Sequence, residues 1–185
     1  MLARRASLFA AAVLTAALAI PVAAQAQPCA GADVIPTPAT AGLAHSATLC
    51  LLNNERMARG LPELRSQPTL RSIATRYAGL MVTQGFFDHV SPGGSTLGTR
   101  IASSGYTRHS ISWSAGENIG WGSGVEATPA NMVAAWMASP PHRANILDRH
   151  FREIGIGVVA GAPAKLGPGE QAATYATEFG GRVRV

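Results

Sequence analysis

Two histidines and one carboxylate in this sequence stand beside chain breaks, where a scaffold can present them, and not inside regular elements. His89 lies in Gly85-Phe-Phe-Asp-His-Val-Ser-Pro-Gly-Gly94, a helix exit followed by a stiff turn. Glu117 sits between a glycine and the amide Asn118 in Ala115-Gly-Glu-Asn-Ile119. His142 follows a double proline in Trp136-Met-Ala-Ser-Pro-Pro-His-Arg-Ala-Asn-Ile-Leu147, where a helix must stop. Loops held by a rigid scaffold are where sites tend to lie, and imidazole and carboxylate are the groups of proton transfer and ligand binding. Spacing alone does not assemble them: 28 residues separate His89 from Glu117 and 25 separate Glu117 from His142. There is no His-Glu-x-x-His, no Gly-x-Ser-x-Gly and no phosphate-binding glycine loop. His45, His109 and His150 have no such setting and are assigned structural roles.

The elements that would carry these residues are short and individually capped. The first helix is expected over about Leu43 to Arg59, stopped by Gly60 and Pro62. In the second, Leu70, Ile73, Ala74, Tyr77 and Met81 repeat at helical spacing, with Ser66 as the expected cap, Pro68 in the first turn and Gly85 as the stop. Ser95 is the expected cap of a third helix ending at Gly105, and Thr128-Pro129 opens a fourth whose apolar face holds Met132, Val133, Trp136 and Met137. Strand signals come late: Ile154 to Val159 and Ala172 to Phe179 read as a hairpin around Gly161 to Gly169, and Ile111 to Trp121 as a further strand. Helices first and an antiparallel sheet late make an α+β pattern with helices on both faces of the sheet.

Arg4 and Arg5 precede an uncharged run to Gln27 that closes on Val22-Ala-Ala-Gln-Ala26, the pattern of a secretory signal peptide cleaved after Ala26. An uncleaved anchor is the alternative, since the run is nearly long enough to span a bilayer. The expected organisation is a leader over 1–26, an extended segment over 27–42 and one domain over 43–185, exported to the periplasm or the cell exterior, with no transmembrane segment after cleavage. Export favours a disulfide between the only two cysteines, Cys29 and Cys50, closing a loop of about 22 residues. Composition fits one globular domain: 47% hydrophobic and 14% charged, with 20 Gly and 12 Pro marking many turns. The formal charge of +5 includes Arg4 and Arg5, so the remainder carries too little excess for nucleic-acid binding. Its 12 Arg and one Lys are interspersed with acids.

Six stretches occur in order: Leu51-Leu-Asn-Asn-Glu-Arg-Met-Ala-Arg-Gly-Leu-Pro-Glu-Leu64, Phe87-Asp-His-Val-Ser-Pro-Gly-Gly94, Gly116-Glu-Asn-Ile119, Trp136 to Leu147, Phe151-Arg-Glu-Ile-Gly-Ile-Gly157 and Tyr175-Ala-Thr-Glu-Phe-Gly180. Together they resemble the bacterial branch of the CAP superfamily, the cysteine-rich secretory, antigen 5 and pathogenesis-related proteins with an SCP-like extracellular domain. The resemblance covers about Leu49 to Gly180. It implies a three-layer α-β-α sandwich around a mainly antiparallel sheet, with a cleft lined by two histidines and two acids that holds a divalent metal in some members. His89 matches the first histidine, Glu117 the acid of the Gly-Glu-Asn motif and His142 the second histidine. The other acid usually lies three residues after the helix tryptophan, and Ser139 stands there; Pro141 stands where a glycine often precedes the histidine.

With two imidazoles and one carboxylate, the matched set has the ligand count of an open zinc site, zinc or another divalent metal being the implied cofactor. Without an ion, Glu117 would hold one imidazole by a hydrogen bond and raise its pKa, leaving a pH-sensitive polar cleft. Ser139 and Ser91 lie close to the histidines in sequence, but a capping or turn hydroxyl is the usual role of such serines. Trp136 is assigned to the core; Trp113 and Trp121 are assigned there too, with the rim of a ligand groove as the alternative. Three functional readings follow. The first is a secreted, non-enzymatic protein whose cleft, built from His89, Glu117 and His142 with Ser139 and Asn118, binds a metal or a small extracellular ligand, a lipid or sterol among the family's precedents. The second is a metal-dependent hydrolase of peptide or envelope material, and the third an extracellular protein-interaction module.

Overall fold

A computed structural model describes residues 27–184, so the expected signal peptide lies outside the described residues. Helix α1 covers Ala41–Met57 and α2 covers Pro68–Gln84. The cap of α2 is Gln67, whose side chain accepts from the Leu70 N–H, and not Ser66. Pro68 fills the first turn, where its missing N–H costs nothing, and Gly85 closes the helix in the left-handed region at φ 65°. The short α3, Leu97–Ser103, is capped by Thr96 and not by Ser95; Thr96 and Thr99 bind each other's backbone N–H groups reciprocally.

Thr128 caps α4, Pro129–Ala138, as its sequence implies. The double proline that ends α4 also starts α5, Pro140–Leu147, so His142 sits in the first turn of a helix.

Four strands form one sheet in the order β1-β3-β4-β2: β1 is Arg65–Ser66, β2 Ser110–Ser123, β3 Glu153–Ala160 and β4 Ala172–Arg184. β4 pairs antiparallel with β3 and β2, whereas β1 runs parallel to β3. Strand alternation sends Ile154, Ile156, Val158, Tyr175 and Phe179 into the core under α1, α4 and α5, where Trp136 meets Tyr175 edge to face. Ala176 and Ile119 point the other way and pack with Ala74, Tyr77, Ala78 and Met81 of α2. Helices therefore cover both faces, giving the three-layer α-β-α arrangement. The alternate positions Gly155 and Gly157 explain how closely α2 approaches. A Cβ on either would penetrate the backbone of α2 at Leu70 or Ala74, so the helix rests directly on the strand.

Cys29 and Cys50 form a disulfide that fastens the extended N-terminal segment to α1, and Gln27 and Asn54 exchange two hydrogen bonds beside it. Arg56 of α1 is fully buried and donates to the carbonyls of Pro62, Ile146, Asp148 and Phe151, tying α1 to the exit of α5. His45 is likewise structural, its ring nitrogen bonded to the Ile156 carbonyl at 2.9 Å. Trp136 is buried as expected, but Trp113 and Trp121 are exposed by 43% and 38%, because both lie on β2, the uncovered edge of the sheet.

Candidate functional site

The pairing of β2 with β4 puts Glu117 directly opposite Glu178, two carboxyls on the sheet face that α2 and α3 cover. Three other segments converge on them. From α2, the Tyr77 hydroxyl donates to the Asp88 carbonyl at 2.6 Å and pins the turn after the helix. That turn is stiffened by the Val90 N–H on the Asp88 side chain and by the Ser95 N–H on Ser91 Oγ, which makes Ser91 a turn hydroxyl. It presents His89, whose Nδ1–H donates to Glu117 Oε1 at 2.7 Å.

From the capped turn of α3, Arg100 donates through Nη2 to Glu117 Oε2. Its Nη1 bonds the carbonyls of Ser95 (3.1 Å) and His89 (3.3 Å), and the guanidinium lies 3.5 Å above the Tyr77 ring. Both Glu117 oxygens are thus held by donors, and its side chain is 3% exposed.

The electrostatics follow from one cation facing two buried carboxyls. Arg100 is hydrogen-bonded to Glu117, while Glu178, fully buried, has its oxygens without hydrogen-bond partners and its nearest cation, Arg100 Nε, at 3.9 Å. Burial first, and the neighbouring Glu117 second, push the Glu178 carboxyl well above the usual carboxylate range. His89 is raised above its ordinary value, chiefly by its hydrogen bond to Glu117. His142 is lowered, by burial and then by the charge of His89. Burial also lifts the Tyr77 hydroxyl to about 12.

His142 approaches from the opposite layer, around the edge of β2. Asn118, next to Glu117 and pointing the other way, is fully buried; its Nδ2 donates to the His142 carbonyl at 3.1 Å, and Asn145 Nδ2 donates to Asn118 Oδ1 and to the Glu117 carbonyl. Asn118 therefore positions the start of α5 and exposes no surface of its own. His142, Ser139, Phe87, Ile119 and Trp121 line a groove of about 300 Å³ along the β2 edge, with Trp136 and Met132 beneath. Phe87 and Trp121 form its exposed aromatic rim.

His89 and Glu117 are thus brought into contact, and His142 with Ser139 into the adjoining groove. Among the described residues, no three His, Cys, Asp or Glu side chains are grouped as a metal ion requires. Arg100, Tyr77 and Glu178 belong to the site and escaped sequence reasoning. Glu178 lay in the Tyr175 to Gly180 run and Tyr77 in the apolar repeat of the second helix, where it reads as core; Arg100 looks like any surface arginine of a short helix.

The chain is thus a three-layer α-β-α domain in which a histidine meets a carboxylate at one sheet edge, with a second histidine in the adjoining groove. Residues 49–165 match the model of the CAP group, described as the cysteine-rich secretory protein family, and the chain belongs to that family. Over 109 residues it is 38% identical to the uncharacterized protein YkwD of Bacillus subtilis, a match covering 59% of this chain and 40% of YkwD. The chain thus spans well under half of that relative.

In fold it is similar to an extracellular SCP-domain protein of Bacillus anthracis, at a TM-score of 0.59 and 23% identity, over 78% of this chain and 43% of that one. An outer surface protein of Borrelia burgdorferi has a TM-score of 0.54 and 21% identity, over 71% of this chain and 87% of that one. No helix among the described residues is long and apolar enough to cross a membrane.

Proposed function

We propose that this chain is an exported binding domain, not an enzyme, and that the groove along β2 takes a small extracellular ligand with an apolar or aromatic body. The observation that carries this reading is the groove itself: about 300 Å³, floored by Ile119, Met132 and Trp136, and flanked by Phe87 and Trp121 in exposed positions. Large aromatic side chains left in water beside a concavity are the usual mark of a binding site. Polar recognition would come from the His142 imidazole and the Ser139 hydroxyl at one end.

Hydrolysis is less well supported, because Glu117, the candidate base, is buried and its two oxygens already accept from His89 and Arg100. Export is supported by the leader pattern, by the Cys29–Cys50 disulfide and by the extracellular and outer-surface descriptions of the two structural neighbours.

Native mass spectrometry of the mature protein, purified from an exporting host, tests the reading. A small-molecule adduct is expected on the wild type and absent from a Phe87→Ser/Trp121→Ser variant. Turnover of a peptide or ester panel that disappears in His89→Ala would overturn it in favour of a hydrolase. So would an adduct-free wild type that also binds nothing in a small-molecule screen.

A further inference from the structure

The outer edge of the sheet is sealed along only part of its length. β2 is the last strand, paired with β4 on one side alone. The carbonyls of Glu117 and Ile119 face away from β4 and are capped by the side chains of Asn145 and Trp136, from α5 and α4. Outward-facing residues alternate in an antiparallel ladder, so Trp113 and Ala115 also turn their N–H and C=O groups outward. Among the described residues no backbone partner reaches those groups, and Ile111 to Ser114 are exposed. The register shift between Ser110 and Ser112 turns Ile111 out as a bulge, 71% exposed, and marks where the open stretch ends. Edges are commonly blunted by charged residues or proline, and Ser110-Ile-Ser-Trp-Ser-Ala-Gly116 contains neither. We infer that Ser112 to Ala115 is a docking edge for an acidic, extended polypeptide segment, which adds a short strand to β2.

The surface beside the edge selects the partner. Ser112 and Ser114 share a face with Val183 and Gly181, and a groove of about 520 Å³ there is lined by Arg149, His150 and Arg152. No acid lines it: Asp148 is engaged with His150, and Glu153 with Arg182. Arg149 and Arg152 are exposed and form no ion pair among the described residues. The opposite face carries Trp113. An added strand therefore sends every second side chain towards the arginines and the others towards the indole. Carboxylates suit the first set and β-branched or aromatic side chains the second. A second copy of this chain is the poorer occupant. The two-fold axis of antiparallel edge pairing would keep both arginine surfaces on one face of the joined sheet, where they repel. This edge lies at the opposite end of β2 from the groove of Trp121 and His142, so it is independent of the small ligand proposed for that groove.

The probe is a capped hexapeptide of alternating Glu and Val, added to the mature protein while amide hydrogen exchange is followed by NMR. A residue paired with Trp113 shares its face and exchanges both hydrogen bonds with it, so the valine amides make the bonds. The controls are the same peptide N-methylated at its valines and a peptide of alternating Lys and Val. With the Glu-Val peptide about tenfold above its Kd, exchange of the Trp113 and Ala115 amides should slow by about tenfold, and neither control should slow it. Arg149→Glu/Arg152→Glu, with thermal melts to establish folding, should bind the Glu-Val peptide about tenfold more weakly. Equal protection by the Lys-Val or the N-methylated peptide would overturn the inference. So would a Glu-Val peptide that leaves both amides unprotected at millimolar concentration, or polyphosphate that protects them as well as the peptide does. A dimer in sedimentation equilibrium with these amides already protected would overturn it in favour of a second copy. The peptide comparisons use the wild type alone and stand even if the double variant fails to fold.

Discussion

Replacing Glu178 with glutamine keeps the shape of the side chain and removes its ability to ionise, and the structure predicts that this stabilises the protein as pH rises. Glu178 is fully buried and faces Glu117 across the β2·β4 pair, with one guanidinium serving both carboxyls. Desolvation, and then Glu117, hold its folded pKa well above the value of 4.5 expected of the unfolded chain. Folding therefore takes up a proton at any pH between those two values, and the wild type loses stability across that window at about 1.4 kcal/mol per pH unit.

Glutamine has no such slope. The difference in unfolding free energy between variant and wild type should be small and constant below the unfolded pKa. It should then grow in the variant's favour by about 1.4 kcal/mol per pH unit, and level off at the folded pKa of Glu178. Urea denaturation of both proteins at constant ionic strength, from about pH 4 to pH 8, reads the curve and locates that pKa at its plateau. A difference independent of pH would refute the reasoning. A variant weaker than wild type by about 3 kcal/mol or more at neutral pH would refute it more strongly, since that is the cost of breaking a buried ion pair and would make Glu178 an ionised partner of Arg100.

Four further outcomes follow from the structure. Gly157→Ala drives a Cβ into the α2 backbone at Ala74 and should cost about 3 kcal/mol in urea unfolding, the upper end of overpacking penalties. Gly79→Ala, where a Cβ meets nothing within 4 Å inside the same helix, should instead gain up to about 1 kcal/mol. Arg56→Met leaves the buried carbonyls of Ile146 and Phe151 without donors and should destabilise by about 3 kcal/mol, visible as a lower denaturation midpoint. Removing both cysteines by Cys29→Ala/Cys50→Ala should cost about 3 kcal/mol, the chain-entropy value for a loop of about 22 residues, read as a drop in melting temperature.

Legibility in the sequence followed the range of the interactions. The second and fourth helices declared themselves because their apolar period, their proline at the first turn and their stop signals are local. The β3·β4 hairpin was marked by two β-prone runs around a Gly/Pro-rich loop. Where local signals competed, the boundary moved: Ser66 is the better cap by residue type, but Ser66 is drawn into the parallel pairing of β1 with β3 and Gln67 caps instead. Two residues of strand leave no period to detect. The double proline is ambiguous in the same way, since it forbids continuation of one helix and suits the first turn of the next. Trp113 and Trp121 were expected inside, because nothing in a strand's own residues says that it will be the open edge of the sheet.

By itself the sequence determined the α+β class, the sheet's need for helices on both faces and the residue types at three chain breaks, two histidines and a glutamate. These depend on residue chemistry and on contacts a few positions apart. Only the tertiary structure decided what those groups do. Glu117 faces Glu178 through a strand register spanning 61 residues. Arg100 reaches Glu117 from a helix that carries no distinguishing pattern, and Asn118, beside Glu117, points into the other layer because successive strand residues alternate faces. The state of a buried carboxyl depends on how many cations share its enclosure, and that count is a property of packing in three dimensions.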